Sequence, residues 1–514
     1  MRLLSAKTLK LIDFPPDEIP QYVILSHTWG VEEVLLSDIE DPTARTKKGW
    51  AKVESTCDQA MKDGFQYVWI DTCCIDKTSS AELSEALNSM FLWYMNAALC
   101  YAYLSDVPGN CDVEQKDSEF ENSKWFTRGW TLQELLASSK IIFFSHEWVK
   151  IGMKSTLTAT LSRITNIDEE VIENPTLLDS VSVAKRMSWA AHRKTTRPED
   201  AAYCLMGIFS VNMPMVYGEG EKRAFIRLQE KIMKQYDDRS IFAWYDPAAS
   251  PDTQHGLLAT SPAQFAFSHN IVAYNPWESC APFSMTNRGL HIDLPIVVWD
   301  QATDTYLASL DCVVEAEDNP YSGFVSIVLK RVSSMDDQYV RTSINQLKYI
   351  DARGATTPLY VYQKIAPPSP QQRFPMPIFQ LPQSSAMSKN AVLFVRKGVR
   401  VEPPSPALEM QYFPSKKGSR RMDICIVLGT SSGATVVVML AMQSANVLTF
   451  GAFEPTDRRS WSVNDIPYLS EMFQPQVVGT WIKLVCRRVG VVANIVVKHG
   501  KRWCSVSHIS LAEA

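Results

Sequence analysis

The sequence predicts an α/β region built on a parallel sheet, followed by an all-β region. Over residues 1–150, short apolar runs of strand length alternate with segments of helical period, which is typical of a parallel sheet covered by helices. Residues 151–245 have mostly helical spacing. From residue 250 to 514 the chain has short alternating runs bounded by Pro, Gly and Asn, which predict a β-sandwich or barrel. A chain of 514 residues is too long to fold around a single hydrophobic core, so we expect these three regions to be separate domains.

Four apolar runs are predicted as the strands of the first sheet. They are residues 22–25, 65–70, 99–104 and 140–144. Helical periods occupy residues 48–63 and 83–98 between them. The carboxyl ends of parallel strands meet at one edge of a sheet, which is where open α/β sheets bind ligands. We therefore expect Ser26, Asp71 and Ser105, which end the first three runs, to lie along that edge.

The second half of the chain carries the runs predicted as antiparallel strands. They include residues 290–294, 307–314, 324–329, 359–362, 424–428 and 435–440. The glycine-containing residues 429–433 lack the Gly-Lys-Ser/Thr ending of a phosphate-binding loop. They are predicted as a hairpin turn.

Composition restricts the classes of function. A formal net charge of −5 argues against a nucleic-acid partner. No run approaches the roughly 18 to 20 apolar residues of a membrane span, and Lys7 and Lys10 interrupt the N-terminal apolar stretch, so neither a transmembrane segment nor a signal peptide is predicted. The eleven cysteines are scattered and odd in number, which indicates reduced thiols in a cytoplasmic protein. No metal site is predicted, because adjacent Cys73 and Cys74 do not have zinc-ligand spacing.

Two interpretations of the segment around Glu134 are open from spacing alone. Thr131 with Glu134 three residues later fits a capping box, in which each side chain satisfies a free backbone N–H at a helix N-terminus. In that interpretation Trp125 and Trp130 belong to the core. In the other, the Glu134 carboxylate lies beside aromatic walls and receives a ring-bearing substrate.

Three sequence blocks resemble the signature blocks of the fungal HET (heterokaryon incompatibility) domain. They are residues 22–30 (YVILSHTWG), 69–77 (WIDTCCIDK) and 128–135 (RGWTLQEL). Residues 182–189, 195–207 and 217–221 are similar to a tail found in larger members of the same family. The resemblance covers roughly residues 1–245, and the β-rich remainder resembles a C-terminal extension that accompanies such domains.

The resemblance implies a fold and a chemistry. HET domains are similar to the Toll-receptor-type (TIR) domain, a flavodoxin-like parallel α/β sheet. Residues 129–135 resemble the block that carries the catalytic glutamate of NAD+-cleaving plant TIR domains, with Thr131 in place of a cysteine. This implies that Glu134 is catalytic and that NAD+ is the substrate, with no bound cofactor and no metal. The expected substrate-binding residues are Ser26, His27, Trp29, Gly30, Asp71 and Trp130.

Two functional hypotheses follow from the residues and the resemblance together. The first is a cytoplasmic effector of incompatibility and programmed cell death in fungal innate immunity, which hydrolyses NAD+ after self-association and responds to a non-self allelic partner. The alternative is a non-catalytic death-signalling adaptor that acts by TIR-like assembly. The enzyme hypothesis requires Glu134 to face a cavity with Ser26 and Trp29, whereas the adaptor hypothesis requires only a helix cap.

Overall fold

The computed structural model describes residues 1–274, 281–315, 323–332, 337–351 and 354–363 in full, and beyond them the backbone of individual strands. The chain divides into two compact units, residues 1–367 and 368–514. In the first unit, buried apolar residues from Leu3 to Val361 form one continuous core. The domain boundaries expected near residues 150 and 250 remain predictions.

A seven-stranded sheet begins the first unit. Its strands are β1 (Arg2–Ser5), β2 (Leu11–Asp13), β3 (Val23–His27), β4 (Tyr67–Trp69), β5 (Leu99–Tyr103), β6 (Ile141–Phe144) and β7 (Lys150–Met153). The order across the sheet is β2-β1-β4-β3-β5-β6-β7. The four central strands β4, β3, β5 and β6 run parallel, as the sequence predicts. The outer strands pair antiparallel, with β1 and β2 on the β4 side of the sheet and β7 on the β6 side.

Both edges of this sheet carry strands that the apolar pattern does not reveal. β1 and β2 form an antiparallel pair in the first 20 residues, where the sequence predicts no strand. β7 has no fully buried residue, since it covers the outer edge of β6. Edge strands are half solvated and short, so they lack the continuous apolar run that identifies the central strands.

Five helices connect the strands of this sheet. They are α1 (Trp50–Lys62), α2 (Asp71–Cys74), α3 (Ser80–Asn96), α4 (Lys124–Thr127) and α5 (Thr131–Ala137). The first turn of α3 is capped by Ser79, whose hydroxyl accepts the N–H of Glu82. The Glu82 carboxylate instead pairs with Arg2 and accepts the N–H of Asp76, which ties α3 to β1 and to the turn after α2.

The next part of the chain is helical, as predicted. It contains α6 (Thr158–Thr165), α7 (Glu169–Glu173), α8 (Val183–Ser188), α9 (Asp200–Tyr203) and α10 (Glu221–Gln235). Two free N–H groups at the start of α8 are satisfied by distant side chains, because Val183 donates to Asp238 at 2.7 Å and Ala184 donates to Ser240 at 2.9 Å. Among the described residues, no helix is both long enough and apolar enough to cross a bilayer.

A second sheet completes the first unit. Its strands are β8 (Ile271–Ala273), β9 (Ser284–Thr286), β10 (Gly289–Asp300), β11 (Thr305–Val314), β12 (Phe324–Arg331), β13 (Gln338–Thr342), β14 (Lys348–Ile350) and β15 (Ala355–Val361). Neighbouring strands pair in succession from β10 through β11, β12 and β13 to β15. Because β15 also pairs with β10, these pairings close a ring. The predicted sandwich or barrel form of the C-terminal region remains a prediction.

The second unit contains two more sheets. Its strands are β16 (Ile378–Gln380), β17 (Val392–Arg396), β18 (Arg400–Glu402), β19 (Glu409–Phe413), β20 (Ile424–Gly429), β21 (Thr435–Ser444), β22 (Val447–Phe453), β23 (Gln476–Val477), β24 (Trp481–Cys486), β25 (Val491–Gly500) and β26 (Trp503–Glu513). The sheet orders are β18-β16-β26-β25-β24 and β19-β17-β20-β21-β22-β23. β20 and β21 pair antiparallel, but the hairpin turn predicted between them lies outside the described residues.

A buried arginine joins the second sheet to the helical part of the first unit. The Arg341 side chain on β13 donates to the carbonyl oxygens of Phe242, at 2.9 Å, and of Trp244. Its guanidinium lies 3.9 Å from the centre of the Trp244 ring. Arg341 is 1% exposed. The two carbonyls have no access to water, so this single side chain satisfies backbone groups that the fold would otherwise bury unpaired.

We expect Arg341→Met to destabilise the first unit by about 2–4 kcal/mol, because two buried carbonyls lose their donor and a cation–π contact is removed. Thermal unfolding followed by circular dichroism measures the effect. The matched control is Lys330→Met on the neighbouring strand, where the side chain is exposed. Equal stability of the two variants would contradict this role for Arg341.

Candidate active site

The site lies where the strand order of the first sheet reverses. The chain passes from β3 to β4 on one side and then returns to β5 on the other side of β3. In open α/β sheets, ligands bind at such a switch point, outside the carboxyl ends of the strands. A cavity of about 240 Å³ occupies this position, with walls from the end of β3, residues 71–77, α3, the start of α5 and residues 196–217.

Glu134 is a wall of this cavity and not a helix cap. The residue before α5 is Trp130, which makes no side-chain cap hydrogen bond. The Thr131 hydroxyl is directed back to the carbonyl oxygens of Trp125 and Arg128. The capping box that spacing suggests for Thr131 and Glu134 is therefore not formed, because both side chains bond elsewhere.

A chain of buried hydrogen bonds fixes the Glu134 carboxylate. The Trp125 indole N–H donates to the Ser26 hydroxyl at 2.8 Å, and the Ser26 hydroxyl donates to Glu134 Oε2. Ser26 is at the carboxyl end of β3, so this chain ties α5 to the sheet across 108 residues of sequence. The Ser26 hydroxyl accepts one bond and donates the other, which leaves Glu134 Oε2 in a single orientation.

Burial controls the protonation of Glu134. Removal from water raises the pKa of Glu134 to about 8, and the negative charge of Asp71 adds to that rise. The Ser26 hydrogen bond and the charge of Arg128 act in the opposite direction without overcoming burial. The carboxyl group is therefore mostly protonated at neutral pH when the cavity contains no ligand.

His27, Asp71 and Trp29 form the opposite wall. Trp29 Nε1 donates to Asp71 Oδ2 at 2.8 Å, and His27 Nε2 lies 3.7 Å from Asp71 Oδ1. Lys77 Nζ lies 3.7 Å from Asp71 Oδ2 and 3.7 Å from the Trp29 ring centre. Although burial opposes ionisation of Asp71, these neighbours lower its pKa.

The His27 ring is neutral and buried at the cavity wall. Burial, followed by the charge of Lys52, lowers the pKa of His27 to about 4. Among the described residues, neither ring nitrogen has a hydrogen-bond partner. The ring lines the cavity, but both nitrogens are buried and the side chain is 1% exposed, so His27 contributes a neutral surface to the wall.

Gly30 is not part of the cavity wall. Its N–H donates to Glu33 Oε1 at 2.6 Å, so the backbone group expected to hold a phosphate or ribose oxygen is already occupied. The expectation for Gly30 is corrected on this point, because a carboxylate three residues ahead closes the turn on itself. The Trp29 side chain, in contrast, lines the cavity and is 50% exposed.

The helical part of the chain supplies the remaining wall. Trp130 Nε1 donates to Asp200 Oδ2 at 3.1 Å, and the Tyr217 hydroxyl donates to Asp200 Oδ1 at 3.0 Å. The turn that carries Tyr217 is held by Glu199, whose Oε1 accepts the N–H groups of Gly218 and Gly220. Residues more than 60 positions after α5 thus orient Trp130 and close the cavity.

Two buried cations hold the ends of α5. Arg193 Nη1 donates to the carbonyl oxygen of Arg128 at 2.8 Å and to the Thr131 hydroxyl at 3.0 Å. At the other end, Lys154 Nζ donates to the carbonyl oxygens of Leu135 and Ser138. A cation at a helix C-terminus is favourable because it meets the negative end of the helix dipole. The seven-residue helix is therefore clamped at both ends.

Of the site residues predicted from sequence, the structure places His27, Trp29, Asp71, Trp130 and Glu134 in the wall of one cavity and Ser26 against Glu134. The partners of these residues were not predicted. The residues missed are Tyr94, Trp125, Arg128, Arg193, Arg197, Asp200 and Tyr217. The block at 195–207 contains two of them and is visible in sequence, but nothing in its spacing indicates that it packs against α5. That contact exists only through the tertiary fold.

Comparison with known proteins gives two family matches. Residues 22–112 match the family described as heterokaryon incompatibility protein (HET), and residues 223–288 match a domain of unknown function (DUF8212). The HET match covers less than a fifth of the chain and ends before Glu134. No solved structure matches the chain.

A curated relative is similar to part of the chain. It is the vegetative incompatibility protein HET-E-1 of Podospora anserina, 48% identical over 230 residues. The match covers 43% of this chain and 17% of the relative, so this chain corresponds to about a sixth of that protein's length. The similarity supports the resemblance to fungal HET proteins drawn from the three sequence blocks.

The buried carboxyl group predicts an unusual pH dependence of stability. The folded protein keeps the Glu134 proton up to a pKa of about 8, whereas the ordinary value is 4.5, so the contribution of Glu134 to the free energy of unfolding falls as pH rises from about 4.5 to 8. Glu134→Gln is neutral throughout. We expect the free energy of unfolding of this variant to exceed that of the wild type by about 4 kcal/mol at pH 7.5 and to match it near pH 4.5, as measured by urea unfolding.

Glu170→Gln on α7, where the side chain is exposed, is the matched control and should change nothing at either pH. A Glu134→Gln protein less stable than the wild type at pH 7.5 would restore the helix-cap interpretation.

Proposed function

We propose that this chain is an effector of vegetative incompatibility and programmed cell death that acts in the cytoplasm and hydrolyses NAD+ at the nicotinamide–ribose bond. The observation that carries the proposal is that Glu134 faces a cavity together with Trp29 while bonded to Ser26, which is the arrangement that the enzyme hypothesis requires. A residue that served only as a helix cap would bond to its own helix end.

The sheet supports a TIR-like interpretation of the first 150 residues. Counted along the chain, its four parallel strands have the order second, first, third, fourth, which is the order that begins a flavodoxin-like sheet. We propose a TIR-like domain at residues 1–150, a helical tail at 151–245 that completes its site, and a β-rich region at 250–514. The HET match at residues 22–112 lies within the first of these.

The chemistry assigned to Glu134 is stabilisation of a ribosyl cation. The bond between the ribose C1′ and the nicotinamide nitrogen breaks, and nicotinamide leaves as a neutral molecule with the bonding electron pair. The remaining oxocarbenium-like ribosyl group is stabilised by the adjacent carboxylate. Water then bonds to C1′ and gives up a proton, so that the products are nicotinamide, ADP-ribose and a proton. One carboxylate suffices because the leaving group needs no protonation.

Binding of the substrate is expected to lower the pKa of Glu134. The nicotinamide ring of NAD+ carries a positive charge, and an opposite charge within about 4–6 Å favours the ionised carboxylate. Binding of NAD+ therefore lowers the pKa of Glu134 from its value of about 8 in the empty cavity. Catalysis is then coupled to occupancy at neutral pH, because the bound cationic ring favours the carboxylate that the empty cavity keeps mostly protonated.

Self-association is the proposed switch. TIR-like sites are often completed by a neighbouring copy, and we propose the same for this protein, with a non-self allelic partner as the trigger. The relative HET-E-1 is named as a vegetative incompatibility protein, which agrees with this biological setting. The β-rich region is proposed to gate the assembly.

Nicotinamide release tests the enzyme hypothesis directly. We expect purified protein to release nicotinamide from NAD+ with a specific activity that rises with protein concentration, and Glu134→Gln to lower the rate at least about 100-fold because the ribosyl cation loses its carboxylate. Chromatographic quantification of nicotinamide measures both effects. Glu170→Gln, an exposed carboxylate lost at a distance, should retain full activity.

A wild-type protein that is folded yet releases no nicotinamide at any concentration would overturn the enzyme hypothesis. That result would favour the adaptor hypothesis, in which the same fold serves only as an assembly surface.

The pH profiles of kcat/KM and kcat report the pKa of Glu134 in the free enzyme and in the substrate complex, respectively. We expect kcat/KM to rise with pH and to level off with an apparent pKa near 8, because the free enzyme must lose the Glu134 proton. The apparent pKa in kcat should be lower, because the cationic ring of bound NAD+ stabilises the carboxylate. Initial rates between pH 5.5 and 9.5, at saturating and at limiting NAD+, give both profiles. Profiles that coincide and fall with rising pH would contradict this assignment.

A further inference from the structure

Two arginines at the cavity have no ion-pair partner among the residues that the structure describes. Arg128 precedes α5, and Arg197 lies in the turn before α9; both line the cavity wall. Arg128 Nη1 donates to the Thr196 hydroxyl at 2.8 Å, so its guanidinium lies beside the residue that precedes Arg197. The Arg197 guanidinium stacks 4.1 Å from the centre of the Tyr217 ring. Within the part of the chain that the structure describes, neither guanidinium lies within 4.0 Å of a carboxylate oxygen.

The nearby carboxylate is committed to other donors. Both oxygens of Asp200 accept from neutral groups, Oδ2 from the Trp130 indole and Oδ1 from the Tyr217 hydroxyl. Burial of Asp200 raises its pKa, which further weakens its capacity to neutralise the two arginines. The wall therefore presents two positive charges whose hydrogen-bond donors are largely free.

The third cation at the cavity differs from these two. Lys77 lies 3.7 Å from Asp71 Oδ2 and over the Trp29 ring, so its charge is balanced within the opposite wall. Its pKa is lowered by burial. The uncompensated positive charge is accordingly on one side of the cavity only, on the wall made by residues 128 and 196–217.

We propose that Arg128 and Arg197 form an anion subsite that binds the phosphate groups of the substrate. The inference rests on the proposed function, in which the substrate is NAD+. Guanidinium groups bind phosphate oxygens through paired N–H donors, and such charge-assisted bonds are stronger than neutral ones. The side chain of Arg197 is exposed, so the subsite lies at the cavity mouth and not at its base.

The size of the cavity favours this placement. Its volume of about 240 Å³ is smaller than the roughly 300–1,000 Å³ of pockets that enclose whole drug-sized ligands. The nicotinamide riboside end of a dinucleotide occupies the interior beside Glu134, and the diphosphate emerges at the mouth. The two arginines then fix the position of C1′ relative to Glu134 through the end of the substrate that does not react.

Binding of ADP-ribose tests the subsite without any turnover. Isothermal titration of Glu134→Gln protein with ADP-ribose should give a Kd that rises about tenfold with Arg128→Ala and about tenfold with Arg197→Ala, since each removes a charge-assisted contact. Arg223→Ala, which removes an exposed arginine from α10, is the matched control and should leave Kd within about twofold. Circular dichroism verifies the fold of each variant.

Turnover supplies a second readout. We expect the two arginine variants to lower kcat/KM for NAD+ about tenfold while kcat/KM for nicotinamide riboside, which has no phosphate, stays within about twofold. Unchanged affinity for ADP-ribose in both variants, or an equal loss for the two substrates, would overturn the subsite. A wild-type site that does not bind ADP-ribose would also overturn it.

The two proposals fail separately. If the protein binds ADP-ribose through the two arginines but releases no nicotinamide from NAD+, the anion subsite is supported and the hydrolase proposal is overturned. If the protein releases nicotinamide and binds ADP-ribose equally well without the two arginines, the hydrolase proposal is supported and the anion subsite is overturned.

Discussion

The hydrogen-bonded chain from Trp125 through Ser26 to Glu134 is the interaction on which the site depends. It is buried throughout, and it connects the carboxyl end of β3 to a helix of only seven residues. Such a short helix has little stability of its own. Its position is therefore set by its contacts, and the Ser26 hydroxyl holds it at Glu134, the proposed catalytic residue. Deletion of that hydroxyl would leave a buried indole N–H and a buried carboxyl group without their partner.

The rest of the first unit reinforces the same short helix. Arg193 fixes its N-terminal turn and Lys154 fixes its C-terminal carbonyls, and both come from outside the α/β sheet pattern. Burial lowers the pKa of Arg193 to about 10 and that of Lys154 to about 8, so each cation is held in the interior at a cost in desolvation. Their hydrogen bonds to backbone carbonyls offset part of that cost. The helical part of the chain is thus a component of the site and not an appendage to it.

Burial has opposite consequences for the two titratable groups deepest in the cavity. It raises the pKa of Glu134 and lowers the pKa of His27, so both are mostly neutral at pH 7. The charged side chains lie nearer the mouth, where Lys77 and Asp71 balance each other on one wall and Arg128 and Arg197 lie on the other. A neutral interior with a charged mouth suits a ligand that carries an anionic group at one end and a flat ring at the other, because the ring enters without displacing a solvated ion. In the proposed reaction, the positive nicotinamide ring of NAD+ favours the ionised form of Glu134.

The sequence by itself determined the parallel strands, the helices between them and the expectation that Ser26, Asp71 and Ser105 end strands at one edge of the sheet. These follow from local pattern, since a buried strand needs a continuous apolar run and its polar end must emerge at the sheet edge. Only the tertiary structure decided between a capping box and a cavity wall for Glu134, because Thr131 and Glu134 have the same spacing in either case. It also decided that Gly30 bonds to Glu33, and that Arg193, Arg197 and Asp200 lie beside α5. The contacts of Arg193 and Asp200 with the start of α5 join residues more than 60 positions apart, so no periodicity in the sequence indicates them. They exist because the helical segment packs its apolar side onto the same core as the sheet.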